Sequence, residues 1–396
     1  MVSVSEATSI IQSQTFTPST ETVRLEQSLG RVLAEKVFAD RDFPPFDRVA
    51  MDGIAFRFES WKKGQTQFNI ESMAAAGQPQ QILNDGLKCI EVMTGAPLPA
   101  QTDTVVRYED LVIDNGIATL QVGEISARQN IHPQGQDAQS GQVLLTEGAE
   151  ISAAEIALMA SIGMTRLKVK APPRFAVIST GDELVDIKET PLPHQIRRSN
   201  AYALASELDA LKCPVEMFHL KDNEEDLASG LSKALADHDV LVLSGGVSQG
   251  KFDFVPSTLE LLGIQKRFHK VSQKPGKPFW FGVGNGKTVF ALPGNPVSTF
   301  MCFHRYIKPW LKQGMGVNLT LQTAILAEPF TFKPELTYFL QVSVKNEGGK
   351  LMAYPLPGGG SGDFANLKEV DGFLELPADQ TVFMPGNAFP YYPFRK

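Results

Sequence analysis

Strands and helices alternate from Arg174 to Lys312, and this alternation constrains the fold more than any other feature. Apolar runs typical of strands cover 174–179, 215–220, 239–243, 279–283 and 288–292, and helical patterns cover 200–212, 224–236, 256–262 and 296–312. Alternation at this spacing predicts a mostly parallel sheet with helices on both faces. Ligands bind at the carboxyl ends of the strands in such sheets, so we expect the functional site at that edge.

The flanking segments differ from this pattern and indicate a multi-domain α/β protein. A helix and a strand are predicted within 3–40, short strands fill the stretch up to about 138, and a helix returns at 151–160. Ser152 and Glu155 form a capping box for that helix, and Gly163 ends it. We expect four domains: an elongated linker domain (1–40 with 139–171), an inserted β-rich domain (41–138), a central α/β domain (172–316) and a C-terminal β-barrel (317–396).

The composition excludes several classes of protein. The chain has 396 residues with 43% hydrophobic and 20% charged residues, which is typical of a folded globular protein. Its formal net charge of −7 argues against broad nucleic-acid binding. With no signal-like start and no apolar run near the roughly 18 residues of a membrane span, we expect a cytoplasmic protein without membrane contact. Three widely spaced cysteines, Cys89, Cys213 and Cys302, predict buried, reduced thiols.

Three predicted strands end in loops that carry acids or glycines. These residues are Asp182 and Glu183 after the first strand, Asp222 after the second, and Gly245, Gly246, Ser248 and Asp253 after the third. Glycines let the backbone approach a bulky anion, and successive N–H groups form an anion-binding nest. Clustered carboxylates hold Mg²⁺, which in turn holds phosphates, or they transfer protons. For any single acid, helix capping or a solvated position is the alternative.

Two further turns present cations and a helix N-terminus. Lys274 and Lys277 flank a Pro-Gly turn that ends at Pro278, an arrangement suited to an oxyanion or a phosphate. A second turn runs over 293–298, where Pro293 ends a strand, Asn295 can cap, Pro296 begins a helix and Ser298 adds a hydroxyl. A basic surface turn and simple helix capping are the alternatives, but neither explains why the two turns follow each other closely.

Taken together, these motifs resemble those of one family. TGDEL (180–184), SGGVS (244–248) with Asp253, KPGKPF (274–279) and LPGNPVS (292–298) look like the MoeA family of molybdopterin molybdenumtransferases, which includes the gephyrin E domain. AMDG (50–53), MTGAP (93–97), the Gly-x-Asp that ends at Asp137 and Gly-Ser-Gly around Ser361 also fit. The resemblance therefore extends over essentially the whole chain, with a MogA-like central domain.

The resemblance implies an enzyme that converts adenylylated molybdopterin and molybdate into molybdenum cofactor and AMP with Mg²⁺. It implies a homodimer with the active site between subunits, and a MogA-like molybdopterin adenylyltransferase and molybdoenzymes as partners. Asp182, Glu183, Asp222 and Asp253 would handle Mg²⁺ and the pyrophosphate-like linkage. Lys274, Lys277 and Ser298 would form the molybdate pocket. Asp52, Thr94 and Asp137 of the inserted domain would face the partner subunit.

The sequence also departs from the family pattern at several positions. Asp47-Arg48-Val49 replaces Asp-Asn-Ser, Ile54 replaces a tyrosine, His132-Pro133-Gln134 replaces arginines, Arg198 replaces an aspartate, and Leu336 to Gln341 replaces an arginine-containing strand motif. These changes motivate an alternative function: a diverged, non-catalytic homologue that binds a pterin or nucleotide or acts as a scaffold.

Overall fold

The computed structural model describes residues 1–247 and 254–395, which form two compact units. The larger unit contains residues 1–34, 148–152 and 167–396, and the smaller unit contains residues 35–147 and 153–166. The finer division into four domains stays a prediction. Among the described residues, no helix combines the length and the apolar composition that a bilayer crossing requires.

A six-stranded sheet lies at the centre of the larger unit. Its strands are β1 (Phe175–Thr180), β2 (Val215–Leu220), β3 (Val240–Ser244), β4 (Gln265–His269), β5 (Trp280–Gly284) and β6 (Lys287–Leu292), in the spatial order β2-β1-β3-β6-β5-β4. The first three pairings are parallel and the last two are antiparallel, which confirms the mostly parallel sheet. The sequence did not predict β4, because this edge strand buries only Phe268 among polar residues.

Helices cover both faces of this sheet, as predicted. They are α1 (Ser199–Ala210), α2 (Glu224–Asp237), α3 (Val255–Leu261) and the long α4, which consists of Pro296–Cys302, a π-helical turn Phe303–Ile307 and Lys308–Gly314. Phe175 and Val177 pack with α1 and α4, whereas Ala176 and Ile178 pack with α2 and α3. The π turn lies just before Pro309, whose ring crowds the carbonyl one turn earlier and which donates no N–H.

The C-terminal strands of the larger unit close into a barrel, as predicted. These strands are β7 (Gln322–Leu326), β8 (Thr337–Glu347), β9 (Lys350–Pro355), β10 (Gly372–Leu376) and β11 (Ala388–Pro393). They pair in the order β8-β9-β7-β11-β10, and β10 pairs back with β8. The short strand Gln273–Lys274 also pairs with β8, through Lys274 opposite Tyr338. The turn over 274–278, which we call the lysine turn, is thereby attached to the barrel as well as to β5 of the central sheet, which follows it.

Short elements complete the larger unit. The chain begins with helix Val4–Ser13 and strand Ser19–Arg24, as expected for this segment. The pair Leu184–Val185 and Ile196–Arg197 lies between β1 and α1, and the pair Phe330–Thr331 and Val382–Phe383 lies near the barrel. A 3₁₀ helix spans Phe364–Lys368.

The smaller unit is rich in β structure, as predicted for the inserted segment. Its six-stranded sheet has the spatial order Thr104–Arg107, Gly53–Phe56, Lys88–Val92, Gln67–Ala74, Ile117–Leu120 and Leu111–Asp114. Two-stranded pairs join Arg48–Val49 to Ile131–His132 and Val37–Phe38 to Val143–Leu145. Its helices are Phe58–Lys62 and Ala153–Ser161. Gly163 has a φ of 74°, in agreement with its predicted role as a helix stop, whereas the Ser152 cap stays a prediction.

All three cysteines are free and buried, as expected. Burial raises the pKa of the Cys89, Cys213 and Cys302 thiols to about 12. They are therefore protonated at neutral pH and pack as small apolar groups.

Candidate active site

Two cavities adjoin at the carboxyl edge of the central sheet. We call the first the loop cavity; it has a volume of about 550 Å³ and is lined by the loops that follow β1, β2, β3 and β6. We call the second the lysine cavity; it has a volume of about 280 Å³ and lies between the lysine turn, the start of α4 and the barrel. Pro278, Pro293 and Asn295 line both cavities. One ligand can therefore extend from one cavity into the other.

The loop cavity collects most of the acids and glycines that the sequence singled out. Of the predicted residues, it is lined by Glu183, Asp222, Gly245, Gly246, Pro278, Pro293, Asn295 and Pro296. Asp182 is exposed and lies beside it, since its Oδ1 accepts the Asp222 N–H at 3.3 Å. Carboxylates from the β1 and β2 loops thus meet at the sheet edge.

Gly245 is required by the close packing of the loop after β3. Its φ is 105°, and a Cβ there would lie 2.6 Å from the Thr180 carbonyl oxygen. The neighbouring Thr180 hydroxyl is buried and has no hydrogen-bond partner among the described residues. Gly245 and Thr180 both line the loop cavity, so the glycine backbone and a hydroxyl with no partner in the described part of the chain lie side by side there.

The lysine cavity is positively charged. Lys274, Lys277, Ser298 and Ser361 line it, and no acid is among the described residues that do so. Both lysines are exposed, and the Lys274 Nζ lies 5.6 Å from the centroid of the Phe332 ring. Two ammonium groups and a hydroxyl around a small cavity suit a compact oxyanion.

A buried glutamine holds the lysine turn from beneath. The Gln273 side chain is fully buried; its Nε2 donates to the Gly276 carbonyl at 3.0 Å, and its Oε1 accepts from the Tyr306 hydroxyl. Burial raises the pKa of Tyr306 well above its ordinary value, so this hydroxyl keeps its proton. Gly276 has a φ of 87°, and a Cβ there would lie 2.8 Å from Cys302 Sγ. The turn therefore has one well-defined conformation.

The start of α4 is tied to the barrel loop that contains Ser361. Asn295 occupies the N-cap position but makes no capping hydrogen bond with its side chain, so that expectation is wrong. Its Nδ2 donates instead to Ser361 Oγ at 2.8 Å, and the Val297 N–H donates to the Ser361 carbonyl at 3.1 Å. Pro296 stands in the first turn, as predicted. The Asn295 side chain thus fixes a second wall of the lysine cavity rather than the helix end.

Three residues of the loop cavity were not identified from the sequence as site residues. Asn200 donates to Ser244 Oγ at 2.8 Å and to the Gly294 carbonyl at 2.7 Å, which joins two of the loops. Arg197 and Arg198 line the cavity as cations. Arg198 pairs with Asp186, and its buried Nε has no hydrogen-bond partner among the described residues. The Arg-Arg-Ser-Asn sequence (197–200) at the start of α1 could have indicated these three residues.

Asp52, Thr94 and Asp137 belong to the smaller unit. Asp52 Oδ1 accepts the Thr94 N–H at 2.6 Å, and this bond lowers the pKa of the exposed Asp52 carboxyl. Asp137 Oδ1 lies 2.8 Å from His132 Nε2, and His132 Nδ1 lies 2.9 Å from Arg48 Nη2. The structure therefore brings Asp52 and Thr94 together, whereas Asp137 belongs to a different set of polar contacts, with His132 and Arg48.

Magnesium is the cofactor that the family resemblance implies. Within residues 1–247 and 254–395, no three His, Cys, Asp or Glu side chains cluster closely enough to hold a metal ion by themselves. Proteins usually hold Mg²⁺ with one or two carboxylates, waters and substrate phosphates. Glu183 and Asp222, with Asp182 beside them, fit that mode. Asp253, the fourth predicted ligand, and Ser248 lie outside the described residues, so their assignment stays a prediction.

Known proteins with the same organisation cover the whole chain. Sequence models match residues 2–163 as "MoeA N-terminal region (domain I and II)", residues 176–313 as "Probable molybdopterin binding domain" and residues 323–394 as "MoeA C-terminal region (domain IV)". A molybdopterin molybdenumtransferase of Synechocystis sp. is 41% identical over 99% of this chain and 100% of the relative. The chain belongs to the MoeA family.

Further MoeA relatives agree with this assignment. A molybdopterin molybdenumtransferase of Bacillus subtilis is 31% identical over 93% of this chain and 88% of its own length. Two crystal structures of the molybdopterin biosynthesis MoeA protein of Pyrococcus horikoshii match all of both chains, with TM-scores of 0.83 and 0.84 at 30% and 25% identity. The family resemblance and the multi-domain α/β fold read from the motifs are thereby confirmed.

Proposed function

We propose that this chain is a molybdopterin molybdenumtransferase, which inserts molybdate into adenylylated molybdopterin and releases AMP during molybdenum cofactor biosynthesis. The adjoining loop and lysine cavities carry the proposal. One offers glycine backbone and carboxylates, and the other offers two lysines and a hydroxyl. The reaction needs sites of both kinds side by side, because a phosphate linkage must be broken next to a bound tetrahedral dianion.

In this proposal the lysine cavity binds molybdate. Lys274 and Lys277 neutralise the dianion, and Ser298 donates a hydrogen bond to one of its oxygens. Gln273 acts through the turn, because its hydrogen bond to Gly276 keeps the two ammonium groups in place. The chain thus binds and orients the oxyanion before it meets the pterin.

The loop cavity binds the adenylyl phosphate. The backbone at Gly245 and Gly246 and the Thr180 hydroxyl approach the phosphate oxygens, and Arg198 adds a positive charge. Glu183 and Asp222 would hold Mg²⁺, which neutralises phosphate charge when it is bound. Pro278, Pro293 and Asn295, which both cavities share, then mark where the linkage between pterin and AMP lies.

The family resemblance further supports a cytoplasmic homodimer that exchanges substrate with an adenylyltransferase and molybdoenzymes. Asp52, Thr94 and Asp137 would act on substrate held by the partner subunit. The hydrogen bond from Thr94 keeps the Asp52 carboxylate ionised, as a residue that acts on a polar substrate requires.

The direct test is AMP release by the purified chain with adenylylated molybdopterin, molybdate and Mg²⁺. We expect Lys274→Met and Lys277→Met each to lower kcat/KM for molybdate by about tenfold or more, because a charge-assisted hydrogen bond is worth ~1.5–3 kcal/mol. The exposed Lys233 lies in the second half of helix α2 and lines neither cavity. We expect the matched control variant Lys233→Met to have unchanged activity. Ligand binding without any AMP release by the unmodified chain would instead establish the non-catalytic alternative.

A further inference from the structure

A third cavity lies on the larger unit, away from the candidate active site. It has a volume of about 520 Å³ and is formed by the N-terminal helix, the second half of α4, the segment before β7, and β11. None of its lining residues lines the loop cavity or the lysine cavity. We call it the basic cavity, after Arg305, Lys308 and Lys312.

One of the three cations that line the basic cavity has no acidic partner among the described residues. Its described lining residues include Arg305, Lys308 and Lys312 but no acid. Arg305 already forms an ion pair, since its Nε lies 2.7 Å from Glu375 Oε2. Lys308 Nζ is 3.8 Å from Glu207, and Lys312 has no ion-pair partner among the described residues. Burial lowers the pKa of Lys308, and the neighbouring Lys312 lowers it further, whereas the Glu207 carboxylate acts in the opposite direction.

A buried histidine provides an independent sign of an incomplete site. His304 lines the cavity with only 1% of its side chain exposed, and neither ring nitrogen has a hydrogen-bond partner among the described residues. Glu207 Oε1 lies 3.6 Å from its Nε2, which is too far for a good hydrogen bond. Burial holds the pKa of His304 well below its ordinary value, so the ring is neutral and carries one N–H. An unsatisfied buried donor is costly, and an acceptor in the cavity would remove that cost.

Part of the cavity lining is apolar and aromatic. Leu319 and Leu321 line the cavity although 47% and 56% of their surfaces are exposed, and Tyr391, Tyr392 and Pro393 line it too, beside the polar Asn318, Thr320 and Gln322. Apolar walls with a few convergent polar groups are typical of small-molecule sites. A purely inorganic anion would leave this part of the lining in contact with water.

We propose that the basic cavity is a second ligand site, which binds a small organic anion with an aromatic or apolar body. The anionic group meets Lys312 and Lys308 and accepts the His304 N–H, while the body packs against the leucines and tyrosines. The proposal stands apart from the transferase function, because the two sites share no residue.

The test is calorimetric titration of the full-length chain with 2-naphthoate as the probe. We expect a single binding event that Lys312→Met weakens about tenfold, since the substitution removes a charge-assisted hydrogen bond to the carboxylate. The uncharged analogue 2-naphthalenemethanol should bind the unmodified chain at least as weakly as 2-naphthoate binds Lys312→Met. Leu321→Ser should also weaken the binding of 2-naphthoate, because it removes an apolar side chain that would pack against the ring.

Two control variants distinguish binding in the basic cavity from binding elsewhere on the chain. Lys233→Met should leave the affinity for 2-naphthoate unchanged, and so should Lys274→Met, which alters only the lysine cavity. Equal affinities for the acid and the alcohol, an unchanged affinity in Lys312→Met, or no binding at all would overturn the proposal. An affinity lost in Lys274→Met would also overturn it, because the probe would then occupy the active site.

Discussion

Arg198 illustrates how one side chain can change the character of a site. The family resemblance implies an aspartate at this position, whereas here a guanidinium lines the loop cavity and pairs with Asp186. Because its buried Nε has no partner among the described residues, it can donate to a phosphate oxygen. We infer that Arg198 replaces part of the positive charge that the family's other arginines supply.

Replacing Arg198 tests this inference at the residue scale. In Arg198→Met we expect KM for adenylylated molybdopterin to rise about tenfold, since a hydrogen bond to a charged group is worth ~1.5–3 kcal/mol, with little change in KM for molybdate. Steady-state AMP release with either substrate varied measures both values. Arg24→Met, at an exposed arginine of the same unit, is the matched control. A selective rise in KM for molybdate would contradict the inference, because Arg198 would then act on the ligand of the lysine cavity.

At the scale of elements, the lysine turn depends on a glutamine that no local pattern marks. Gln273 contacts the Gly276 carbonyl and the Tyr306 hydroxyl, and both contacts are buried. In Gln273→Leu these groups lose their partner, at a cost of about 1–3 kcal/mol each, and the turn loosens. We expect a lower melting temperature and a raised KM for molybdate, measured by calorimetry and by AMP release.

Tyr306→Phe provides the comparison for this prediction. It removes only the hydroxyl and leaves the hydrogen bond between Gln273 and Gly276, so KM for molybdate should change little while the melting temperature falls. A melting temperature that falls in both variants with KM unchanged in both would show that Gln273 stabilises the fold without positioning the lysines.

These elements also show what could be read from the sequence and why the rest could not. The strands β1 and β3 were predicted to within about a residue because their buried apolar runs are continuous. The strand β2 was predicted from its place in the strand–helix alternation, although none of its residues is fully buried. The charged edge strand β4 was missed because it lacks such a run. Gln273 and Asn200 were missed as supports because their partners, Tyr306 and Gly294, are 33 and 94 residues away. Local patterns predict elements, whereas contacts over these separations require the fold.

At the scale of the whole molecule, the family resemblance implies that two subunits together form each active site. The resemblance assigns Lys274 to one subunit and Asp52 to its partner in a homodimer. If so, Asp52→Ala and Lys274→Ala damage different halves of the same site. A heterodimer that carries one substitution in each subunit then contains one doubly damaged site and one intact site.

This reasoning predicts complementation between two strongly impaired variants. Co-expression with two affinity tags gives a purified heterodimer, and we expect it to release AMP at about half the rate of the unmodified dimer, since one of two equivalent sites survives. Each variant alone should have about a tenth of the unmodified activity or less, and a heterodimer of Lys274→Ala with unmodified chain should have the same half activity. If Asp52 and Lys274 of one subunit served the same site, both sites of the mixed dimer would carry a defect. The mixed dimer would then be as inactive as either variant, because neither subunit could supply the residue that its own site lacks.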